Sequence, residues 1–167
     1  YTNLCFCFFI LVKKYRVIWI MSGTSLDCLD IAYCEFEKNK TWRYKVKYAE
    51  TKKYNSQWRY KLINAFKKEK RNLKQLDIEY GIFIGNEILK FIKRYKISAD
   101  FIASHGHTLF HQPKKKFTLQ IGDGASIASV CKLPVVCDFR SGDVALGGQG
   151  APLVPLVYSM LFSNYDY

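Results

Sequence analysis

The sequence predicts a mixed α/β domain, and three features of its 167 residues lead to that class. Apolar runs and alternating residues over 16–21, 30–37 and 42–51 have the pattern of strands joined by short turns. From Ser56 onward the period changes to that of amphipathic helices. The last third alternates short apolar strands with helical or glycine-rich segments. A three-strand antiparallel meander followed by alternating helices and strands indicates a mixed α/β fold.

Two helices are predicted after the meander. Ser56 is the expected N-cap of the first, and the second runs from about Leu73 to Tyr95. Each has an apolar stripe at helical spacing, so each is expected to bury one face. The stripe residues are Trp58, Leu62, Ile63 and Phe66 in the first helix, and Leu76, Tyr80, Phe83, Ile84, Ile88, Phe91 and Ile92 in the second.

The segment after the second helix, from residue 100 onward, is predicted to hold three more strands. In chain order its elements are a strand at 100–104, a strand at 117–121, a helix at 125–131, a strand at 133–139, a rigid loop at 147–155 and a helix at 156–162. Gly106 is expected to turn the chain after the first of these strands.

The net charge and the composition limit the kinds of molecule that the chain is expected to bind. The chain has 26 Lys and Arg against 14 Asp and Glu, a net charge of +12. The basic clusters at 67–71 and 114–116 fall in an expected helix end and an expected loop, and no nucleic-acid-binding motif surrounds them. We interpret them as solvated surface, which excludes nucleic acid as the expected partner. A positive field of this size also favours an anionic small substrate.

The cysteines and the first residues indicate the cellular compartment in which the protein is expected. Six cysteines include no CxxC pair, so free thiols in a reducing, cytoplasmic compartment are expected instead of a zinc site. The apolar run at 4–12 has nine residues, far below the ~20 of a membrane helix, so no membrane anchor is expected. We interpret residues 1–13 as an N-terminal extension, and we expect the chain to be a piece cut at both ends.

The stretch MSGTSLD, from Met21, has the composition of a phosphate-binding turn. Gly23 lets the backbone approach a ligand closely, while successive amides and the hydroxyls around it offer donors for phosphate oxygens. Asp27 supplies a carboxylate of the kind that Mg²⁺ takes together with phosphate. A plain hairpin turn rich in Ser and Thr would have the same composition, so both interpretations remain open on these residues alone.

A second group of polar residues follows the strand at 100–104. His105, His107 and His111 lie within seven residues, but no Cys or carboxylate stands beside them at ligand spacing. We therefore favour histidines that hydrogen-bond a hydroxylated ligand over a metal site.

Further polar residues leave two interpretations each. Asp123 and Asp138 each follow a strand, and Asp123 is either a helix N-cap or a carboxylate that faces a ligand. Arg140 either binds an anionic sugar substituent or pairs with Asp138 or Asp143. The loop GGQGAPLVP, residues 147–155, has three glycines and two prolines, which predicts a fixed shape beside a ligand or a helix.

Taken in order, MSGTSLD, SHGHT, LQIGDG, VVCDFR and GGQGAPLVP resemble the N-terminal half of the anhydro-N-acetylmuramic acid kinase family. The resemblance runs from about Lys14 to Tyr167. It implies the sugar kinase, actin and heat-shock ATPase superfamily, whose members have two ribonuclease-H-like domains with ATP and sugar in the cleft between them. Residues 14–167 would be the N-terminal domain, and the second domain would be absent from this chain.

The resemblance also implies a reaction and its site. ATP, with Mg²⁺, would phosphorylate 1,6-anhydro-N-acetylmuramic acid while water opens the anhydro ring, giving N-acetylmuramic acid 6-phosphate in peptidoglycan recycling. Asp27 would lie near the metal, and a homodimer is a further expectation. The nucleotide-binding residues would be Ser22, Gly23, Thr24, Ser25, Leu26, Asp27, Cys28, Leu29 and Asp30, and the sugar-side residues His105, Thr108, Asp123 and Arg140. No catalytic base is named, because the family's aspartate belongs to a later Asp-Thr-Gly-Pro-type motif.

The chain departs from the family pattern at three positions. Cys28 stands where glycine is usual, Trp19 where a smaller residue is usual, and His107 where glutamine is common. A side chain at position 28 is expected to crowd the nucleotide loop or to impose a backbone angle that disfavours cysteine.

Two alternatives to an active kinase follow from the same residues. One is a truncated, non-catalytic relic of the family that binds sugar or phosphate without turnover. The other is a serine hydrolase using Ser25, His105 and Asp138, which is disfavoured because the sequence around Ser25 lacks the strand-to-helix turn of a nucleophile elbow.

Overall fold

The computed structural model describes residues 13–23, 26–39, 41–67, 69–152, 159 and 161. The predicted N-terminal extension therefore lies outside the described residues, apart from Lys13. The same holds for Thr24, Ser25 and most of the predicted helix at 156–162. The loop predicted at 147–155 is described as far as Pro152.

Six strands and four helices are described. In chain order they are β1 (Lys13–Ser22), β2 (Cys28–Lys38), β3 (Trp42–Lys53), α1 (Ser56–Ile63), α2 (Lys70–Tyr95), β4 (Phe101–Gln112), β5 (Phe117–Ile121), α3 (Gly124–Cys131), β6 (Val135–Cys137) and α4 (Phe139–Ala145). Short 3-10 turns occupy Ala65–Lys67 and Pro113–Lys115.

The predicted meander forms one side of the sheet. β1 pairs antiparallel with β2, and β2 pairs antiparallel with β3. The other edge of β1 runs parallel to β4, and β6 in turn runs parallel to β4 over Ile102–Ser104. The order β3-β2-β1-β4-β6 results, with β5 folding back as an antiparallel hairpin on the distal half of β4. Because β1, β4 and β6 are parallel, their carboxyl ends lie at one edge of the sheet, which we call the carboxyl edge.

The core lies between the sheet and α2. The predicted stripe of α2 supplies its main layer, since Tyr80, Ile84 and Ile88 are fully buried. Opposite them lie buried residues of β1, β2, β4 and β5, and α1 and α3 close the two sides. The buried strand residues in this cluster are Ile18, Ile20, Leu29, Ile31, Tyr33, Ile102 and Ile121.

The first helix differs from its prediction in two respects. Asn55, and not Ser56, is its N-cap, because the Asn55 carboxamide oxygen accepts a hydrogen bond of 2.8 Å from the Trp58 amide. The helix ends at Ile63, so the stripe does not continue to Phe66, and both of these side chains are exposed. Leu62 alone of the predicted stripe is fully buried.

The segment after Ser104 also differs from its prediction, which placed a turn at Gly106. The strand instead continues to Gln112, and the chain accommodates Gly106 through a bulge. β1 pairs Ile20 with Ser104 and then Ser22 with His107, so β4 has one extra residue between the two pairs. Gly106 has φ +69°, and a Cβ there would lie 2.6 Å from the Ile121 carbonyl oxygen. Glycine thus lets β4 continue where a larger residue would end it.

The strand predicted at 133–139 is shorter than expected. β6 has only three residues, and α4 begins at Phe139. The chain makes this change at Asp138, whose backbone is left-handed with φ 56°. This early turn carries Arg140 onto a helix above the carboxyl edge.

Close packing of α2 and α3 positions the start of α3. A Cβ on Gly81 would lie 2.6 Å from the Asp123 carbonyl oxygen, so only glycine permits this approach. Asp77, one turn earlier, accepts a hydrogen bond from the Gly122 amide at 2.8 Å. In the part of the chain that is described, no helix has the length and apolar character needed to cross a membrane.

Candidate functional site

The candidate site lies at the carboxyl edge, where the ends of β1 and β4 meet. Ser22, the last residue of β1, pairs with His107 of β4. The loop after Ser22 and the His-Gly-His-Thr segment therefore start from neighbouring positions. Thr24 and Ser25 of that loop lie outside the described residues, whereas Gly23 and Leu26 are described.

A buried chain of hydroxyl groups underlies this loop. The Ser22 hydroxyl lies 2.9 Å from the Tyr54 hydroxyl and 3.2 Å from His107 Nδ1. The Tyr54 hydroxyl lies 2.6 Å from the hydroxyl of Tyr80, whose ring meets the His107 ring edge-on. We call Ser22, Tyr54, Tyr80 and His107 the hydroxyl network. It joins β1, α2, β4 and the segment before α1 beneath the loop.

Burial keeps the hydroxyl network uncharged. It lowers the pKa of His107 to about 4, with a smaller contribution from neighbouring His105. It raises the pKa of Tyr54, and it raises that of Tyr80 well above the usual range. The network is therefore neutral at physiological pH. Ser22 is 2% exposed and its hydroxyl is already bonded, so its side chain holds the loop in place from below.

The described part of the loop includes the predicted metal ligand, Asp27. Leu26 has a left-handed backbone with φ 59°, and its amide donates to the Gly23 carbonyl at 3.3 Å, which tightens the turn. The Asp27 carboxylate is exposed and lies 3.9 Å from Arg59 in a loose ion pair. The Asp27 carbonyl accepts from the Tyr54 amide at 3.2 Å, so the network and the loop are joined through the backbone too.

The carboxyl end of the nucleotide segment is held by β2. Leu29 is fully buried in the core, so it supports the loop from within. The Asp30 carboxylate accepts from the Thr51 hydroxyl of β3 at 2.6 Å. Both residues are placed by strand pairing, which makes them the fixed end of the loop.

Cys28 does not impose the backbone angle that the sequence suggested. It is the first residue of β2, and the left-handed residue of this loop is Leu26 instead. The Cys28 thiol is half-buried and points toward Asp30, with Sγ 4.0 Å from Oδ1. The expectation of a strained backbone at position 28 is therefore wrong, because extended strand geometry suits cysteine as well as glycine.

The sugar-side residues predicted from sequence lie around β4, β6 and the helices that follow. Arg140 of α4 donates to His105 Nε2 through Nε at 3.1 Å and through Nη2 at 3.0 Å. Its Nη1 donates to the Gly150 carbonyl at 3.0 Å. The pairing of Arg140 with Asp138 or Asp143, left open by the sequence, is not what the structure shows. Asp143 instead accepts from the Gly150 amide at 2.6 Å.

The contacts of His105 define its tautomer. Its Nδ1 lies 3.0 Å from the Gly106 carbonyl, which can only accept, so Nδ1 has the proton. Nε2 is then the lone-pair acceptor for Arg140. Burial lowers the pKa of His105, and the charge of Arg140 lowers it further. The guanidinium uses three of its five N–H groups in these bonds and keeps donors for an anion.

A cavity of about 250 Å³ lies beside these residues, between β4, β5, α3 and β6. His105 and Asp123 line it, so the structure brings these two predicted residues together. Asp123 is the N-cap of α3, because its carboxylate accepts from the amide and the hydroxyl of Ser126. These bonds lower the pKa of Asp123, and an ion pair of 3.0 Å with Lys74 adds to the effect. Thr108 stands farther along β4, opposite Gln120 of β5.

Two polar atoms at the cavity are buried without a hydrogen-bond partner among the described residues. They are the Ser104 hydroxyl and the Gln120 carboxamide oxygen. Ser104 is fully buried, and both residues line the cavity. Unpaired buried polar groups are rare in folded proteins, so each of these two atoms is a local cost in stability at the wall of the cavity.

A metal ion at the loop would need phosphate oxygens or water as ligands in addition to protein side chains. The described residues contain no cluster of three or more His, Cys, Asp or Glu side chains that could hold a metal ion. Mg²⁺, however, usually takes only one or two carboxylates and fills its other positions with phosphate oxygens and water. The exposed Asp27 carboxylate fits that role, since its ion pair with Arg59 is long.

Sequence reasoning missed five residues of the site. Tyr54, Tyr80, Asp77, Ser104 and Gln120 hold the loop or line the cavity. One signal was available for Tyr80, a hydroxyl on an otherwise apolar helix stripe. The others depend on strand register and helix packing, which pair residues that are far apart in the chain.

Comparison with known proteins agrees with this architecture. A family model for anhydro-N-acetylmuramic acid kinase matches residues 15–167. The proteins of that name from Paramagnetospirillum magneticum and Sulfurimonas denitrificans are 39% and 36% identical to the chain, in each case over 88% of the chain and 41% of the relative. A relative of the same name from a Sulfurovum species is 37% identical over 93% of the chain and 44% of the relative.

The chain thus spans about two fifths of the length of the curated relatives it matches. The sheet order, with helices packed on it, agrees with the ribonuclease-H-like N-terminal domain that the motifs implied, and the predicted fold class is confirmed. The family match and the architecture lead to one conclusion: the chain belongs to the anhydro-N-acetylmuramic acid kinase family.

Proposed function

We propose that this chain is the N-terminal domain, residues 14–167, of an ATP-dependent kinase that acts on 1,6-anhydro-N-acetylmuramic acid. The reaction transfers the terminal phosphoryl group to the 6-hydroxyl while water opens the anhydro ring. The product is N-acetylmuramic acid 6-phosphate, an intermediate of peptidoglycan recycling in the cytoplasm.

One observation carries the proposal besides the family match. Ser22 at the end of β1 pairs with His107 of β4, so the loop 23–28 and the cavity beside β4 start from the same edge of the sheet. A phosphate held by the loop and a sugar held beside β4 would then face each other. Phosphoryl transfer depends mainly on such positioning and on charge stabilisation.

Each part of the edge has a role in this proposal. The loop amides and hydroxyls bind the phosphates, and Asp27 would hold Mg²⁺ against them; the ion neutralises phosphate charge when bound. The hydroxyl network holds the loop from below. Arg140, kept in place by His105 and Gly150, binds the carboxylate of the sugar's lactyl group. Thr108 and Asp123 complete the sugar side.

The described residues supply one wall of a cleft. An enzyme of this kind needs a second wall to exclude water and to align the attacking group, so the chain alone is expected to be inactive. The full-length protein is expected to be active and to form a homodimer, which light scattering would test. The alternative interpretation, a non-catalytic relic, drew in part on the departure at Cys28. That argument is weakened because Cys28 leaves the strand geometry of β2 intact.

The test is a coupled assay of ADP release by the full-length protein with anhydro-sugar and Mg-ATP. Sugar-dependent ADP release is expected, and Asp27→Asn should reduce it by raising the Mg²⁺ concentration required. Glu37→Gln, at the other end of β2 from the loop, is the matched control and should behave as wild type. ADP release that does not depend on the sugar would overturn the proposal.

A further inference from the structure

The segment that follows α4 folds back onto that helix, and Asp143 holds it there. The Asp143 carboxylate accepts a hydrogen bond of 2.6 Å from the Gly150 amide. The Asp143 backbone carbonyl accepts another from the Gly148 amide at 2.8 Å. One residue of the helix therefore fixes the segment at two points, and Gly150 is buried.

Arg140 binds the other polar group of Gly150. The Gly150 carbonyl accepts from Arg140 Nη1 at 3.0 Å. Arg140 and Asp143 are three positions apart on α4, so they lie on the same side of the helix. We call Arg140, Asp143 and Gly150 the Gly150 clamp. Because Asp143 fixes the Gly150 amide, the carbonyl that receives the guanidinium has a set position.

The clamp leaves the charge of Arg140 available. Within the described residues, the side-chain hydrogen bonds of Arg140 go to His105 Nε2 and to the Gly150 carbonyl, and both acceptors are neutral. A carboxylate in their place would neutralise the guanidinium and compete with an anionic ligand. Asp143 instead places its carboxylate on a backbone amide. The clamp thus orients the guanidinium without neutralising it.

Space for the Asp143 carboxylate depends on Gly148. A Cβ added to Gly148 would overlap both carboxylate oxygens, so a side chain there would displace Asp143 from the Gly150 amide. Gly148 does not have a positive φ, so glycine is needed for space and not for its backbone angle. At Gly142 of α4, by contrast, an added Cβ would meet no atom within 4 Å.

We propose that Asp143 is a positioning residue for sugar binding: it fixes Gly150, Gly150 orients Arg140, and Arg140 presents its remaining N–H groups to the carboxylate of the substrate. The assignment rests on the proposed function, in which Arg140 binds the lactyl carboxylate. A guanidinium that is already oriented loses less rotamer freedom on binding, so it binds the anion more tightly. Asp143 does not itself contact the sugar.

The first test is Asp143→Ala in the full-length protein. Affinity for 1,6-anhydro-N-acetylmuramic acid, measured by isothermal titration calorimetry, is expected to fall about fivefold, and affinity for nucleotide should not change. Asp143→Asn is the matched control, because its carboxamide oxygen can still accept from the Gly150 amide. It should bind the sugar within about twofold of wild type.

A double-mutant cycle tests whether Asp143 acts through Arg140. Arg140→Lys loses the planar fork that binds His105 and Gly150. In that background Asp143→Ala should weaken sugar binding by less than about twofold, since the group that it positions is already gone. A residue that only stabilises the fold would give the same fivefold loss in both backgrounds.

A third variant displaces the carboxylate without removing it. Gly148→Ala should push Asp143 off the Gly150 amide and weaken sugar binding as Asp143→Ala does. Gly142→Ala makes the same chemical change where there is room for it, so sugar binding should stay as in wild type. This pair keeps the proposal testable if Asp143→Ala does not fold.

The outcomes separate this proposal from the proposed function. Sugar affinity equal to wild type in Asp143→Ala or in Gly148→Ala, with phosphorylation intact, would overturn the positioning role and leave the kinase function standing. A fivefold loss that persists in the Arg140→Lys background, or an equal loss of nucleotide affinity, would do the same. A wild-type protein that neither binds nor phosphorylates the sugar would overturn the kinase function, and with it the role of Asp143.

Discussion

Two regions of the carboxyl edge contain buried polar groups, and they differ in how these groups are paired. Beneath the loop, Ser22, Tyr54 and Tyr80 bond to one another, and His107 completes the set. In the cavity beside β4, Ser104 and Gln120 each keep an atom without a protein partner among the described residues. A complete network stiffens the fold, whereas an incomplete one costs stability unless a ligand completes it. The first region thus holds the end of β1 against β4 and α2, whereas the second leaves two polar atoms unpaired among the described residues.

The largest effect expected from this comparison is a loss of folding stability at acidic pH, caused by His107 of the hydroxyl network. Burial lowers the pKa of His107 from 6.5 to about 4 in the folded protein. Between these values the unfolded chain binds more protons, so the free energy of unfolding falls as pH drops through this window and is constant above it. From pH 7.5 to 4.5 the loss from this residue should be about 2.5 kcal/mol.

Replacing His107 with a residue that cannot titrate tests that value. His107→Gln keeps a hydrogen-bonding side chain next to Ser22, and urea unfolding of the full-length protein should show a smaller loss of stability on acidification. His111→Gln, near the distal end of β4, serves as the control. Identical pH profiles for wild type and His107→Gln would show that the network tolerates a charged imidazole.

The second-largest effect is expected at Arg140, where a substitution should change the affinity for sugar but not the affinity for nucleotide. Arg140→Lys keeps the charge but loses the planar fork that binds His105 and Gly150. Sugar affinity of the full-length protein is expected to fall about thirtyfold, which corresponds to about 2 kcal/mol, while nucleotide affinity stays the same. Calorimetry with each ligand measures both, and Arg43→Lys on exposed β3 is the control. Equal losses for sugar and nucleotide would mean that the two regions do not act separately.

Tyr54→Phe should have the converse effect, and a smaller one. It removes the hydroxyl that joins Ser22 to Tyr80, at a cost of about 1 to 1.5 kcal/mol in stability. The KM for ATP should rise severalfold while the KM for sugar is unchanged. Tyr33→Phe loses a 3.2 Å bond to the Ser98 carbonyl, away from the carboxyl edge, and should leave both KM values as they are. A rise confined to the sugar KM would contradict the supporting role of the network.

The smallest effect is expected at Cys28. Cys28→Gly, which introduces the residue that the resemblance implies at this position, should destabilise the full-length protein by about 0.5 to 1 kcal/mol, because glycine weakens a strand. Nucleotide affinity, measured by calorimetry, should not increase. Ala32→Gly in the same strand gives the cost of glycine alone. A clear gain in nucleotide affinity for Cys28→Gly would show that the thiol crowds the loop after all.

The spacing of apolar residues was sufficient to predict the helices and strands that bury one regular face. The stripe of α2 predicted its core residues, and β5 has the predicted bounds because alternation and the glycines after it delimit a strand. Where two local signals competed, prediction failed. Gly106 signalled a turn, yet pairing with β1 and β5 supports a bulged strand there. The apolar run at 133–139 predicted a single strand, but only three of its residues pair with β4.

By itself, the sequence determined the α/β class, the family and the two polar segments that flank β1 and β4, since these depend on local periodicity and on the order of short motifs. Only the tertiary structure decided which polar groups meet. Tyr54 and Tyr80 reach Ser22, Asp77 holds Gly122, and Ser104 shares a cavity with Gln120, although these residues lie 16 to 58 positions apart. Hydrogen bonds act over about 3 Å, so such contacts depend on register and packing that one-dimensional spacing does not encode.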